Sequence, residues 1–244
     1  LQQDMVWLEE QEFAGESVLV PVLYLAKGSP RILASGAVIG GGDLSLEGEY
    51  IANSGLFQAD QSLHVLAQND INNRGGQISA GGDLRLSSSG DILNESGQLS
   101  GHNVSLEAEG NITHRTWSEQ QTFGNAVQGS TFTTLGETAR VTATGTQYQH
   151  AGDSLSISGA QISGETVSLS ANHNIVIDTV QTEQGRHFSG KNSSFSERDI
   201  RHVQTQIDAE HTLQLKAGAD LIATASTLTA GERALLEAGH NLLL

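Results

Sequence analysis

A short pattern recurs along this chain at a nearly constant interval, and that recurrence limits the folds available to it more than any composition figure does. The first apolar word of each unit places Leu44, Leu63, Leu84 and Val104 at steps of 19, 21 and 20 residues. The second places Ile51, Ile71, Ile92 and Ile112 at steps of 20, 21 and 20. The third places Phe57, Ile78 and Leu99 at steps of 21. Three independent columns share one period, the signature of a stacked repeat.

The words "DLSL", "SLHV", "DLRL" and "NVSL" alternate strictly, as half-buried strands do. Each runs into Gly, Asn or Asp, in "EGEY", "AQND", "SSGD" and "AEGN". Such residues accept positive φ or bond their own backbone in turns. The unit is thus three short strands joined by tight corners. Strands this short are not stable as isolated hairpins. Stacked coil on coil they form three long parallel sheets, with each inward residue beneath its copy. The expected fold is all-β: a right-handed parallel β-helix of about 20 residues per coil, rising roughly 4.8 Å per coil. A leucine-rich repeat is disfavoured because no helical spacing separates the strand words, and the glycine-rich calcium nonapeptides are absent. An antiparallel sandwich is the remaining alternative.

The period divides the chain. Residues 35–114 are regular coils. Residues 151–177 resume the pattern with Leu155, Ile162, Val167 and Ile175, and residues 209–244 with Leu213, Leu221, Leu228, Leu235 and Leu242. Residues 1–34 differ: two longer apolar runs flank "EEQEFAGES", as in a hairpin or capping excursion on the first coils. Pro21 argues against a central strand there, and Trp7, Phe13 and Tyr24 are expected to cover apolar surface. Residues 115–150 and 178–208 interrupt the repeat as irregular or hairpin-like protrusions. They carry Trp117, Phe123, Phe132 and Tyr148 in one, and Phe188, Phe195 and His202 in the other. These aromatics are the candidate interaction residues, with packing back onto the rod as the competing role. The chain begins and stops in mid-pattern, as a segment of something longer does.

Little catalytic chemistry is written here. "GRHFSGKN" at 185–192 approaches a phosphate-binding loop but ends in Asn and lacks a following helix. The nine histidines form no zinc motif, and His102, His173 and His240 recur in "GHN" or "NHN" corners. Asp43, Asp70, Asp83 and Asp91 precede inward residues, which makes them corner groups. Clustered carboxylates across coils would be needed for a polysaccharide-cleaving β-helix. "NIT" at 111–113 and "NSS" at 192–194 are formal glycosylation sequons. No catalytic, metal or cofactor-binding residue is assigned, and no cofactor is implied. With no cysteine there is no disulfide scaffold, and a net charge of −16 disfavours nucleic acid and anionic membranes as partners. No stretch of 18 apolar residues offers a membrane-spanning helix. Self-repulsion favours a monomer.

Rungs such as "NRGGQISAGGDLRLSSSGDILNESGQLSG" resemble the filamentous haemagglutinin repeats of bacterial two-partner-secreted exoproteins. The opening "DMVWLEEQEFAGESVLVPVLYLAKG" resembles a hairpin-bearing segment of the contact-dependent growth inhibition effectors, the CdiA class. "SGKNSSFSE" and "TLQLKAGADLIATASTLTAGERALLEAGHNLLL" are similar to the second haemagglutinin repeat region of that class. The resemblance implies a non-catalytic segment of a secreted, cell-surface effector. It implies an outer-membrane two-partner secretion transporter as partner of the full-length protein, and a target-cell outer-membrane component as a second. It implies support of C-terminal toxin delivery into neighbouring bacteria. The alternatives are a shaft or binding segment of an adhesin or haemolysin, and a carbohydrate-active β-helix.

Overall fold

A computed structural model describes residues 5–13, 16–24, 37–125, 127–191 and 193–244, the first two ranges as backbone only. All regular elements among them are strands. Met5–Phe13 and Glu16–Tyr24 form a two-stranded antiparallel ribbon that is a unit by itself, with Pro21 opposite Leu8. A two-stranded ribbon has no central position, so the missing proline N–H is tolerated. The covering role expected of Trp7, Phe13 and Tyr24 lies outside the described side chains.

The rest is a parallel β-solenoid. Each coil passes through three strand columns, named here by their first aliphatic residue. In the Leu44 column, Leu44 pairs with Leu63, Leu63 with Leu84, and Leu84 with Val104. In the Ile51 column, Ile51, Ile71, Ile92 and Ile112 are in register, followed by Leu155, Ile175, Leu221 and Leu242. In the Phe57 column, Phe57, Ile78 and Leu99 continue into Val141, Ile162, Ile207 and Leu228. Most of these side chains are fully buried in one continuous core. The parallel register makes that core, because each inward residue meets its equivalent one coil away.

The three columns make two sheets, not three. The Ile51 column is an eight-stranded sheet, whereas the other two merge into one of fourteen strands. They merge because Gln161–Ala171 and Gln206–Ala217 each run through the corner between the Phe57 and Leu44 columns as one strand. The bend is taken up by a register shift at Gly164–Thr166 instead of a turn.

Two groups of polar residues hold the coils in register. The corner carboxylates reach up one coil: Asp70 accepts from Asp91 N at 3.0 Å, Asp91 from Asn111 N at 2.7 Å, and Asp83 from Asn103 Nδ2 at 2.9 Å. Inside, the asparagines of "IAN", "INN" and "ILN" face the core, two residues after each inward isoleucine. Asn53 Nδ2 donates to Asn73 Oδ1 at 2.9 Å, and Asn73 Nδ2 to Asn94 Oδ1 at 2.8 Å. Asn73 Nδ2 also donates to the Gly76 carbonyl at 2.9 Å, and Asn94 Nδ2 to the Gly97 carbonyl at 3.1 Å. A Cβ on Gly76 or Gly97 would collide with these carboxamides, which is why the ladder and the glycines occur together. Asparagine here is a satisfied core residue and not only a turn former. Its sequence signal is Asn two places after the isoleucine and two to three before a glycine.

Candidate functional site

In four coils the corner between the Ile51 and Phe57 columns takes left-handed backbone. It is occupied by Gly75 (φ 66°), Ser96 (φ 50°), Gly159 (φ 58°) and Ala225 (φ 44°), each four residues after its inward Ile or Leu. In two coils the chain leaves the rod there instead. One excursion follows Ile112–Arg115 and forms a hairpin of Ser118–Gly124 with Gln128–Leu135. The other follows Ile175–Asp178 and forms a hairpin of Val180–Ser189 with Ser194–Val203. One uninterrupted coil, through Leu155–Ser158, separates them. Both necks are tied. Gly136 N donates to Trp117 O at 2.8 Å in the first, and Thr205 Oγ1 to Asp178 O at 2.5 Å in the second.

The first insertion is narrower than the sequence suggested. Arg140–Ala143 and Thr146–Ala151 are rod strands, paired with Gln98–Gly101 and Asn103–Ala108. The second strand's word is obscured because Gln147 and Gln149 occupy inward positions where every other described coil has an aliphatic residue. Tyr148 consequently sits on the outer wall of the rod, between Ser105 and Ser168, apart from the other candidate aromatics.

The two hairpins join edge to edge. Gln128–Leu135 pairs antiparallel with Val180–Ser189, so segments far apart in sequence make one four-stranded sheet. Register assigns its faces, because directly opposed residues share a side and neighbours along a strand alternate. Phe123 is opposite Ser130, Gln128 opposite Phe188, and Phe188 opposite Phe195; Phe132 lies two residues from Ser130. All four phenylalanines therefore lie on one face. Phe123 and Phe132 stack with ring centroids 5.5 Å apart. The four are 38–54% exposed, so they do not pack back onto the rod.

The same face carries Glu119, Gln121, Gln184, Arg186, Glu197, Asp199 and Arg201. Arg186 pairs with Glu197 at 2.8 Å, Arg201 with Asp199 at 3.0 Å, and Gln121 Nε2 donates to Glu119 Oε2 at 3.3 Å. Two hollows adjoin on this face and share Ser130 and Arg186. One, of about 510 Å³, is walled by Phe123, Phe188 and Phe195; the other, of about 310 Å³, by Phe132, Gln184 and Asp199. On the opposite face Arg198 grips Glu183 through two bonds of 2.9 Å, and this contact holds the Glu183 carboxyl below its usual range. The outer strands Ser118–Gly124 and Ser194–Val203 leave two free edges. Charged side chains at Glu119, Glu197, Arg198, Asp199 and Arg201 blunt them against indiscriminate pairing.

Other candidates lie elsewhere. Trp117 stands at the first neck beside Ser96, Gly136 and Glu137, and His202 bonds Thr179 Oγ1 at 2.9 Å at the second. Gly185–Ser189 of the "GRHFSGKN" stretch ends a β-hairpin strand that is followed by a second strand, which is not the strand-to-helix geometry a phosphate loop needs. Among the described residues no group of three or more His, Asp or Glu side chains is placed to hold a metal, and no helix is long and apolar enough to cross a membrane.

The hemagglutinin-repeat family model matches residues 41–195. Toxin CdiA of Escherichia coli is 36% identical over 196 residues, covering 78% of this chain and 6% of that protein. The tRNA nuclease CdiA of Yersinia mollaretii is 31% identical, covering 92% of this chain and 8% of its own length. The 16S rRNA endonuclease CdiA of Enterobacter cloacae is 34% identical, covering 67% and 5%. The chain thus spans less than a tenth of these relatives. No solved structure matches it. With a family model covering well over half its length and a solenoid built on that repeat, the chain belongs to the hemagglutinin-repeat family, as a segment of the CdiA-like kind.

Proposed function

We propose that this chain is a non-catalytic β-helical segment of a large secreted bacterial surface effector, and that it supports delivery of a C-terminal toxin into neighbouring bacteria. The observation that carries this reading is that one segment recurs in relatives with different names: a tRNA nuclease in one and a 16S rRNA endonuclease in another. A part common to proteins of different specificity serves what they share, and export to the surface followed by entry into a target cell is the shared step. The full-length protein would then pass a two-partner secretion transporter in the outer membrane. The solenoid suits that route, since each coil needs only its predecessor as a template.

Within the segment, the four-stranded sheet is the contact surface, and a component of the target cell's outer membrane is its partner. Exposed rings beside paired charges are costly to leave in water and uncommon without a binding role. The adhesin reading draws on the same four rings. The carbohydrate-active reading gains no support, because Glu197 and Asp199 are each taken up by an arginine. Replacing Phe123, Phe132, Phe188 and Phe195 with serine in the full-length effector separates the first two readings. Delivery predicts a fall in target killing of about tenfold or more, with cell attachment and surface display unchanged. Loss of attachment itself would move the assignment to adhesion.

A further inference from the structure

The first two inward positions of the Leu44 column are aliphatic in every described coil except one. Along that column Gln147 follows Val104 and precedes Val167, and Gln149 follows Leu106 and precedes Leu169. Facing them is His114, which ends the asparagine run and lies between Asn94 and Ile157. All three side chains have 0% exposure. His114 Nε2 bonds Gln149 Oε1 at 2.9 Å. A carboxamide oxygen only accepts, so Nε2 carries the hydrogen and Nδ1 is an acceptor. Four enclosed atoms then lack a protein partner: His114 Nδ1, Gln147 Oε1, Gln147 Nε2 and Gln149 Nε2.

Their chemistry is complementary to one small ligand. Two are acceptors and two are amide donors, which matches the two hydrogens and two lone pairs of water. Unsatisfied groups of this kind are rare in native interiors, and buried water commonly makes two to four bonds to such groups. Among the described residues no charged side chain bonds these four atoms. Glu95, Arg115, Glu107, His150 and Glu165 belong to the strands around it but occupy outward positions, where Arg115 binds Glu95 and His150 binds Ser170.

We propose that the rod encloses an ordered-water site between His114, Gln147 and Gln149, and that this site is an acid-sensitive joint at the level where the first hairpin leaves. The imidazole acts as an acceptor toward the water, and a proton on Nδ1 converts it to a second donor, facing a water whose lone pairs the two amide donors already take. Burial supports the same conclusion, since it lowers the His114 pKa from 6.5 to about 4. The sign follows. In the unfolded chain His114 takes up a proton below pH 6.5, while the folded rod resists uptake down to about pH 4. The stabilisation is complete above the unfolded value and is lost as pH falls between the two, on the order of a hundredfold in the folding equilibrium.

The test uses this 244-residue chain and its His114→Asn variant, which extends the asparagine run by one coil. Between pH 7 and pH 4.5 the wild type should lose more stability than the variant. Its amide hydrogen-exchange protection should fail first in Ile112–Arg115 and Thr146–Ala151. Parallel losses in both proteins, or a uniform decline along the rod, would sink the joint. If the variant does not fold, the wild-type exchange map alone decides. The water site is tested separately by NMR. Cross-peaks between long-lived water and the Gln147 and Gln149 side-chain amides are expected, and their absence overturns it.

Discussion

Single residues here act through their copies one coil away. Asn73 is the middle of three buried asparagines: it accepts from Asn53, donates to Asn94 and donates to the Gly76 carbonyl. Truncating it breaks all three bonds and opens a cavity against a backbone that Gly76 has brought close. Asn73→Ala should therefore cost about 3 kcal/mol, measured by urea unfolding. Leu66→Ala, on the outer wall of a neighbouring strand, should cost well under half as much. The aliphatic members of the ladder were legible in the sequence because Leu, Ile and Val at inward places match the hydrophobic expectation. The asparagines, Gln147, Gln149 and His114 were not. Polar residues at inward places look like turns or outward positions until the register is known. For the asparagines a local window shows only the bond to the nearby glycine, as from Asn73 to Gly76, while the ladder bonds and the His114–Gln149 bond reach residues 20 or more positions away.

At the level of elements, the period marks where the rod is interrupted but not what the interruptions build. Strands such as Val180–Ser189 and Ser194–Val203 alternate loosely, and with no core beneath them they need not be apolar on one side. Their pairing with the first hairpin joins two insertions whose partners no sequence spacing relates, so the shared sheet and its single aromatic face were invisible from the chain. The closed neck between Trp117 and Gly136 makes the dependence testable. Replacing residues 118–135 with a two-glycine link should leave the rod folded. It should strip hydrogen-exchange protection from the unpaired side of Val180–Ser189 while Leu155–Ser158, one coil below the second exit, stays protected. Loss of protection throughout the rod would show instead that the hairpins hold the coils together.

The solenoid is a stack in which nearly every partnership spans one winding, and the chain carries 28 acidic residues against 12 lysines and arginines. Excess charge of one sign opposes compaction and keeps copies apart. Raising sodium chloride from about 10 mM to about 150 mM should raise the thermal midpoint by a few degrees, since screening shortens to roughly 8 Å at the higher salt. A midpoint that falls would mean that the coil-to-coil ion pairs, Arg85 with Glu107 and Arg115 with Glu95, outweigh the net repulsion. The edge-to-edge meeting of the hairpins adds a different time to this assembly. Gln128 must wait for Phe188, sixty positions downstream, before its strand acquires a second neighbour. A chain appearing N-terminus first would lay down a complete winding with that aromatic ribbon still half-dressed. The pace of emergence then sets how long those rings stay bare, and a pause at that moment offers them to the nearest surface before their own partner arrives.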